Sequence, residues 1–260
     1  MLSKFLPDHH PWHDRIHYFD CVESTNTLAK EMACSGAPHG TVLIADRQSA
    51  GRGRLGRTFL SPGGVGIYMS IILRYRCTAE ELMHLTCACG VYLCDALEPA
   101  LNARPGIKWI NDLVYNGKKL AGILTELVFN GDEICAIVGI GLNCCQKDTD
   151  FDPSIRDIAT SVAMITDQMP DRHQIAAEIL VQLSKMDALL LSDQQQLMAR
   201  YRQDCITLNQ PICILQNDAI SYGTAVDILP NGTLLVRLAD GSEKAVNSGE
   251  VSIRGMYGYV

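Results

Sequence analysis

The seven residues Gly51-Arg52-Gly53-Arg54-Leu55-Gly56-Arg57 interleave three glycines with three arginines, in a chain whose formal net charge is -7. Residues 41–45, with Val42, Leu43 and Ile44, read as a buried strand leading into this tract. Beyond Ser61-Pro62-Gly63-Gly64, residues 66–74 read as a second strand. A glycine-rich loop hung between two strands brings backbone close to a ligand. Its guanidinium forks suit phosphate or carboxylate oxygens. The residues by themselves are equally compatible with an exposed flexible basic loop. They do exclude a dinucleotide fold. Gly51-x-Gly53-x-x-Gly56 matches that fingerprint in letters, but no helical periodicity follows, and Arg74 and Arg76 stand where the ribose needs an acid.

A net negative chain repels nucleic acid and acidic membranes at long range, so the local arginines point to a compact anion. At 260 residues and 47% hydrophobic composition, the chain can bury one large core with a small satellite. Eleven cysteines, an odd number without C-x-x-C spacing, read as reduced and mostly buried residues of a cytoplasmic protein. No apolar run is long enough to span a bilayer. His9, His10, His13 and His17 lack the ligand set of a zinc site. The short stretch before Ser24 offers no seat for a helix-turn-helix.

Ser24, Thr25 and Asn26 precede a helical stretch ending at Gly36; any one could cap it, and the three together could also contact a neutral ligand. Thr78 and Glu81 form a capping box opening a packing helix that stops at Pro99. Residues 106–115 and 118–126 read as two antiparallel strands joined at Asn116-Gly117, with Lys119 at the start of the returning strand. Lys119 read by position alone is a solvated edge residue. Residues 134–142 form an apolar strand ending in Asn143. From 172 to 204 the periodicity is that of a long helix or helix pair, with Ile175, Ile179, Leu183, Met186 and Leu190 on one face. From Gln210 the texture turns to short strands with Asn231-Gly232 and Asp240-Gly241 turns, an all-β barrel of about fifty residues. These readings divide the chain into 1–205 and 206–260.

The order and wording of the polar clusters resemble the biotin protein ligases, in the form without an N-terminal DNA-binding domain. The resemblance rests on Glu23-Ser24-Thr25-Asn26, on Gln48 through Arg57, on Ser61-Pro62 and on Lys108-Trp109-Ile110-Asn111-Asp112. It extends through Lys119-Leu120-Ala121-Gly122-Ile123-Leu124, Gly139 to Asn143, and Ser248 to Arg254. Ile110 departs from it, standing where the family usually has proline. The resemblance implies an α+β fold: a mixed β-sheet catalytic domain with packed helices, followed by a small SH3-like β-barrel. It implies biotin and ATP as substrates, Mg²⁺ on the triphosphate, and a biotin carboxyl carrier protein domain as partner, with neither DNA nor membrane. Residue by residue, it implies biotin contacts at Ser24, Thr25, Asn26, Gln48, Gly51, Arg52, Gly53, Arg54, Lys119 and Gly122. ATP contacts are implied at Arg52, Arg54, Asn111 and Asn143, and catalytic roles at Arg54, Lys119 and Asp112, with no protein-bound metal. The competing readings are a lipoate protein ligase and a biotin- or nucleotide-binding regulator that does not transfer. Oligomeric state is open, a homodimer being one option.

Overall fold

The computed structural model describes residues 2–216, 219–247 and 251–255. Ser248, Gly249 and Glu250 of the family-like C-terminal passage lie outside the described residues. A seven-stranded mixed sheet carries the fold. It begins with β1 (Ile16–Val22), which crosses through helix α1 (Thr25–Cys34) into the parallel strand β2 (Thr41–Gln48). The remaining strands are antiparallel: β3 (Gly66–Tyr75), the short pair β4 (Gly106–Lys108) and β5 (Asp112–Tyr115), and the long hairpin of β6 (Lys118–Asn130) and β7 (Glu133–Asn143). Their spatial order is β1-β2-β3-β7-β6-β5-β4. Helix α2 (Leu85–Leu101) lies between β3 and β4 in sequence. Helices α3 (Val162–Thr166), α4 (Arg172–Leu189) and α5 (Gln194–Asp204) follow the sheet. Strands β8 (Pro211–Gln216), β9 (Ala219–Ile228), β10 (Leu234–Leu238), β11 (Glu243–Val246) and β12 (Val251–Gly255) make a small antiparallel sheet in the order β11-β10-β9-β8-β12. The predicted α+β class, a mixed sheet with packed helices followed by a small β unit, is what the chain adopts.

Both faces of the large sheet are covered, which is why β3 is buried along nearly its whole length. Ile67, Met69, Ile71 and Leu73 point to the thick side with α2 and α4. Ile72 points to the thin side, joining Leu43, Cys135, Ile137, Ala29 and Ala33 beneath α1. Because α1 covers only part of that side, the rest of the face is left for a cleft.

Three expectations need correction. Residues 106–115 are two strands, because the chain folds back between Lys108 and Asp112, which pair with each other; the bend is present although Ile110 replaces the family's proline, and the Trp109–Ile110 peptide is cis. Helix α2 does not stop at Pro99 but runs to Leu101, with Asn102 at φ 52 as its left-handed stop; within the last turn proline's missing N–H and ring cost little enough for packing to override. The Thr78–Glu81 box exists, yet it closes a separate 3-10 turn, Glu80–Leu82, rather than α2 itself. The helix pair after Arg172 and the Asn116-Gly117 hairpin, with φ values of 47 and 76, match their expectations. Every cysteine is free.

Candidate functional site

The open part of the thin face is floored by glycine. Strand register places Tyr68, Gly141, Gly122 and Asp112 in one row across β3, β7, β6 and β5, and Ser70, Gly139 and Leu124 in the next. An added Cβ at Gly139 would overlap Asn26 Oδ1; one at Gly141 would meet the Phe59 ring at 2.6 Å, and one at Gly122 would meet Lys119 Nζ at 3.3 Å. Above this floor lies a cleft of about 1370 Å³. Every sequence-predicted site residue lines it except Gly51. Gly51 is buried behind the loop, where a Cβ would overlap Phe59 O and crowd Ser61 Oγ, so it lets the loop fold rather than touching the cleft.

One end of the cleft is neutral and dense with hydrogen bonds. Ser24 is the N-cap of α1, but its side chain caps nothing. Instead Gln48 Oε1, at the end of β2, accepts from the Thr25 N–H at 2.8 Å, and Gln48 Nε2 donates to Ser61 Oγ at 2.8 Å. A strand end thus caps the helix, and the short polar side chains turn inward. Ser70 Oγ sits 2.7 Å from Thr25 Oγ1 and 2.6 Å from Asn26 Oδ1. Ser24, Thr25, Asn26 and Ser70 are all buried.

The other end is cationic. Arg54 Nη1 donates to Asn111 Oδ1 at 2.9 Å, and burial lowers the guanidinium pKa while nearby Asp112 opposes that shift. Lys119 Nζ lies 2.8 Å from Asp112 Oδ1, which also accepts from Asn111 Nδ2 at 3.1 Å. Arg52 reaches back to Glu126 at 3.3 Å. Gly53 permits the tight return of the loop, its N–H donating to Arg57 O at 2.7 Å, and Leu55 and Gly56 at the tip both have positive φ. Asn143 is buried at the end of β7, 3.3 Å from Gln146 Nε2. Charges at this end are therefore already gathered around shared partners.

Sequence reasoning missed several lining residues. Ser70 lies inside an apolar strand, and only its period-2 phase, opposite Met69 and Ile71, marks it as facing the cleft. Phe59 packs over Gly141. Residues 147–160, to which the sequence assigns no element, run across the cleft as a strap that pairs with β6: Lys119 N–H donates to Ile158 O at 2.7 Å and Thr160 N–H to Lys119 O at 2.9 Å. Asp150, Phe151, Asp152 and Ile155 of the strap line the cleft. The alternation of Asp148, Asp150 and Asp152 with Phe151 was the one available signal. Among the described residues, no three His, Cys, Asp or Glu side chains are grouped to hold a metal ion, and no helix is long and apolar enough to cross a membrane.

Comparison with known proteins puts this arrangement in a class. The profile of the biotin/lipoate A/B protein ligase family matches residues 18–143, and that of the biotin protein ligase C-terminal domain matches residues 207–254. The chain is 34% identical over 243 residues to the bifunctional ligase/repressor BirA of Bacillus spizizenii, covering 87% of this chain and 70% of that protein. It is 32% identical over 234 residues to the biotin--[acetyl-CoA-carboxylase] ligase of Mycobacterium tuberculosis, covering 88% and 85%. The Aquifex aeolicus biotin protein ligase, solved in complex with biotin and ATP, superimposes with a TM-score of 0.79 at 30% identity, over 93% of this chain and 99% of that one. The chain belongs to the biotin/lipoate A/B protein ligase family, and within it to the biotin protein ligases.

Proposed function

We propose that the chain activates biotin with ATP and transfers it to a lysine of a biotin carboxyl carrier protein domain. The observation that carries this reading is a single cleft, floored by glycine, with a neutral hydrogen-bonding end and a three-cation end. In the first step a biotin carboxylate oxygen attacks the α-phosphorus of ATP. The bond to the β-phosphate breaks, giving biotinyl-5′-adenylate and pyrophosphate. In the second, the carrier's ε-amine attacks the acyl carbon, AMP leaves, and the amine gives up a proton.

Ser24, Thr25, Asn26 and Gln48 would hold the ureido ring, whose carbonyl and N–H groups need both donors and acceptors but no net charge. Arg52, Arg54 and Lys119 would offset the repulsion between carboxylate and triphosphate, since such a transfer depends chiefly on positioning and electrostatic stabilisation. Gly53 and Gly122 let backbone approach the ligand, and Asn111 and Asn143 would face the nucleotide. Asp112 would take up the proton from the incoming amine. Mg²⁺ would enter as part of the nucleotide substrate, carried mainly on phosphate oxygens and water. No DNA or membrane partner enters this reading.

The boundary at 205/206 is part of the proposal. Trp109 crosses it, donating its N–H to Thr207 Oγ1 and its indole N–H to Gly232 O, each at 2.9 Å. Limited proteolysis should cut first near this junction; preferential cutting elsewhere would move the boundary.

A pyrophosphate-exchange assay run with biotin and separately with lipoate, followed by transfer to a carrier domain, tests the function. Exchange with biotin and biotinylation of the carrier are expected. Exchange with lipoate alone would make the chain a lipoate ligase, and biotin binding without transfer would make it a regulator.

A further inference from the structure

Glu126 stands on the cleft face of β6, one row beyond Leu124, in register with Ile137 and so with Ile72. Its carboxylate draws together groups from two other parts of the chain. Oε2 accepts from Asn26 Nδ2 at 3.0 Å; Oε1 lies 2.5 Å from Lys30 Nζ and 3.3 Å from Arg52 Nη2. The side chain is 17% exposed. Burial pushes its pKa up, but the bonds from Lys30 and Asn26 and the Lys30 and Arg52 charges outweigh burial and leave it lowered, so the group is an anion at neutral pH.

An ionised carboxylate can only accept. Asn26 must therefore turn its NH₂ toward Glu126 and Leu124 O, which leaves Oδ1 toward Ser70. Amide oxygen cannot donate, so the Ser70 hydroxyl donates toward Asn26 Oδ1, with Thr25 Oγ1 as a second acceptor at 2.7 Å, while the Thr25 hydroxyl donates to Gln48 Oε1 at 3.1 Å. The Thr25 N–H is already committed to Gln48 Oε1. The Asn26 amide is thus held in one orientation, and one of the two acceptors that hold it, Glu126, lies outside the proposed pocket residues.

We propose that Glu126 is a positioning residue: through Asn26 it fixes the donor and acceptor directions that biotin's ureido ring meets, and through Arg52 it ties that end of the cleft to the Gly/Arg loop. This rests on biotin being the ligand. The competing role is a simple fastener of α1 through Lys30. Glu126 contributes no atom to the reaction in either case.

The test uses the full chain, with calorimetric titration of biotin, steady-state KM for biotin and for ATP, and thermal melting of each variant. Glu126→Ala is expected to weaken biotin binding about 10–100-fold, the scale of one lost charge-assisted bond that leaves a buried partner unsatisfied, with KM for ATP changed about threefold at most. Asn26→Ala with Glu126→Ala should bind biotin no more weakly than Asn26→Ala alone, because the two act in series. Glu126→Gln keeps an acceptor for Asn26 and should retain biotin affinity within about fivefold, while Lys30→Ala should stay within about twofold even if it melts earlier. A folded Glu126→Ala that binds biotin like wild type overturns the proposal, as does Lys30→Ala with an equal loss. If Glu126→Ala does not fold, Glu126→Gln decides, and a loss as large as that of Asn26→Ala overturns it. Wild-type chain that binds no biotin would sink the functional reading on which this depends, which the other outcomes leave standing.

Discussion

The two ends of the cleft are built from different materials. The neutral end is made of helix α1, the end of β2 and the middle of β3, elements that also supply core residues, and its side chains are largely buried and bonded to one another. The cationic end hangs largely on a loop whose tip exposes Leu55 and bends through positive φ at Leu55 and Gly56. A site that must recognise one uncharged ring gains from rigidity, because orienting the donors beforehand removes an entropic cost at binding. A site that must gather charge around a triphosphate, retain an adenylate and then admit a lysine gains from a mobile loop. On the proposed function, recognition falls to packed elements and much of the chemistry to a loop.

Lys119→Ala should have the largest effect. Lys119 is the cation held on the sheet rather than on the loop, and loss of one such stabilising group costs about a hundred- to a thousandfold in rate. Biotin-dependent pyrophosphate exchange should fall by that amount, with stability changed by no more than about 1 kcal/mol, the range for a partly exposed ion pair. A folded mutant with near wild-type exchange would return Lys119 to the role of a solvated edge residue.

Gly139→Ala probes the rigid end. Its methyl would overlap Asn26 Oδ1, and the displaced amide should weaken biotin binding about 10–100-fold, the range for an overpacked site, while ATP affinity is unaffected. Equal losses for both ligands would show that the two ends are not separable. Arg54→Gly probes the loop. Removing one charge-assisted bond, about 1.5–3 kcal/mol, should speed adenylate release by about one to two decades while slowing its formation less. Measured release of biotinyl-adenylate, and indiscriminate biotinylation of an unrelated lysine-rich protein, should both rise. Unchanged release would remove Arg54 from the retention role.

The smallest effect lies away from both ends. His84 faces Leu190 O and His10 faces Leu180 O, and burial lowers both imidazole pKa values from the ordinary 6.5. Because the folded protein favours the neutral rings, their contribution to stability is complete above pH 6.5 and is lost as pH falls through 6.5 toward the lower folded values. The melting temperature should decline from pH 7 to 5, and His84→Gln should flatten that decline without altering the choice of biotin over lipoate. A His84→Gln profile no flatter than that of wild type would show that the His84 ring protonates without cost, the raised pKa of His39 beside Asp187 acting in the opposite sense in both proteins.

Much of the cationic end was legible because its residues are consecutive: Gly51 to Arg57 and Lys119 to Gly122 carry their chemistry in local wording. The neutral end was legible only at Ser24, Thr25, Asn26 and Gln48. Ser70 and Glu126 meet Asn26 from 44 and 100 residues away, so no spacing could announce them. The glycine floor needed the register of β3, β7 and β6, which pairs Gly139 with Ser70 and Gly141 with Gly122 and is not visible along one strand. The fold-back at Trp109 likewise required knowing that Lys108 pairs with Asp112. The C-terminal strands, by contrast, were marked by their own turns.

The chain has two tryptophans. Trp12 is buried beside His10, and a Cβ at Gly40 would run into its ring, so it sits in a fixed environment and does not line the cleft. Trp109 lines the cleft and donates from its indole nitrogen to the carbonyl of Gly232. Its emission should respond to events on both sides of that bond, to a ligand arriving in the cleft and to any shift of the small sheet behind it. A Trp12→Phe chain would carry a single tryptophan, at the seam, allowing occupancy and seam motion to be timed by selective tryptophan excitation in a stopped-flow instrument without an attached dye.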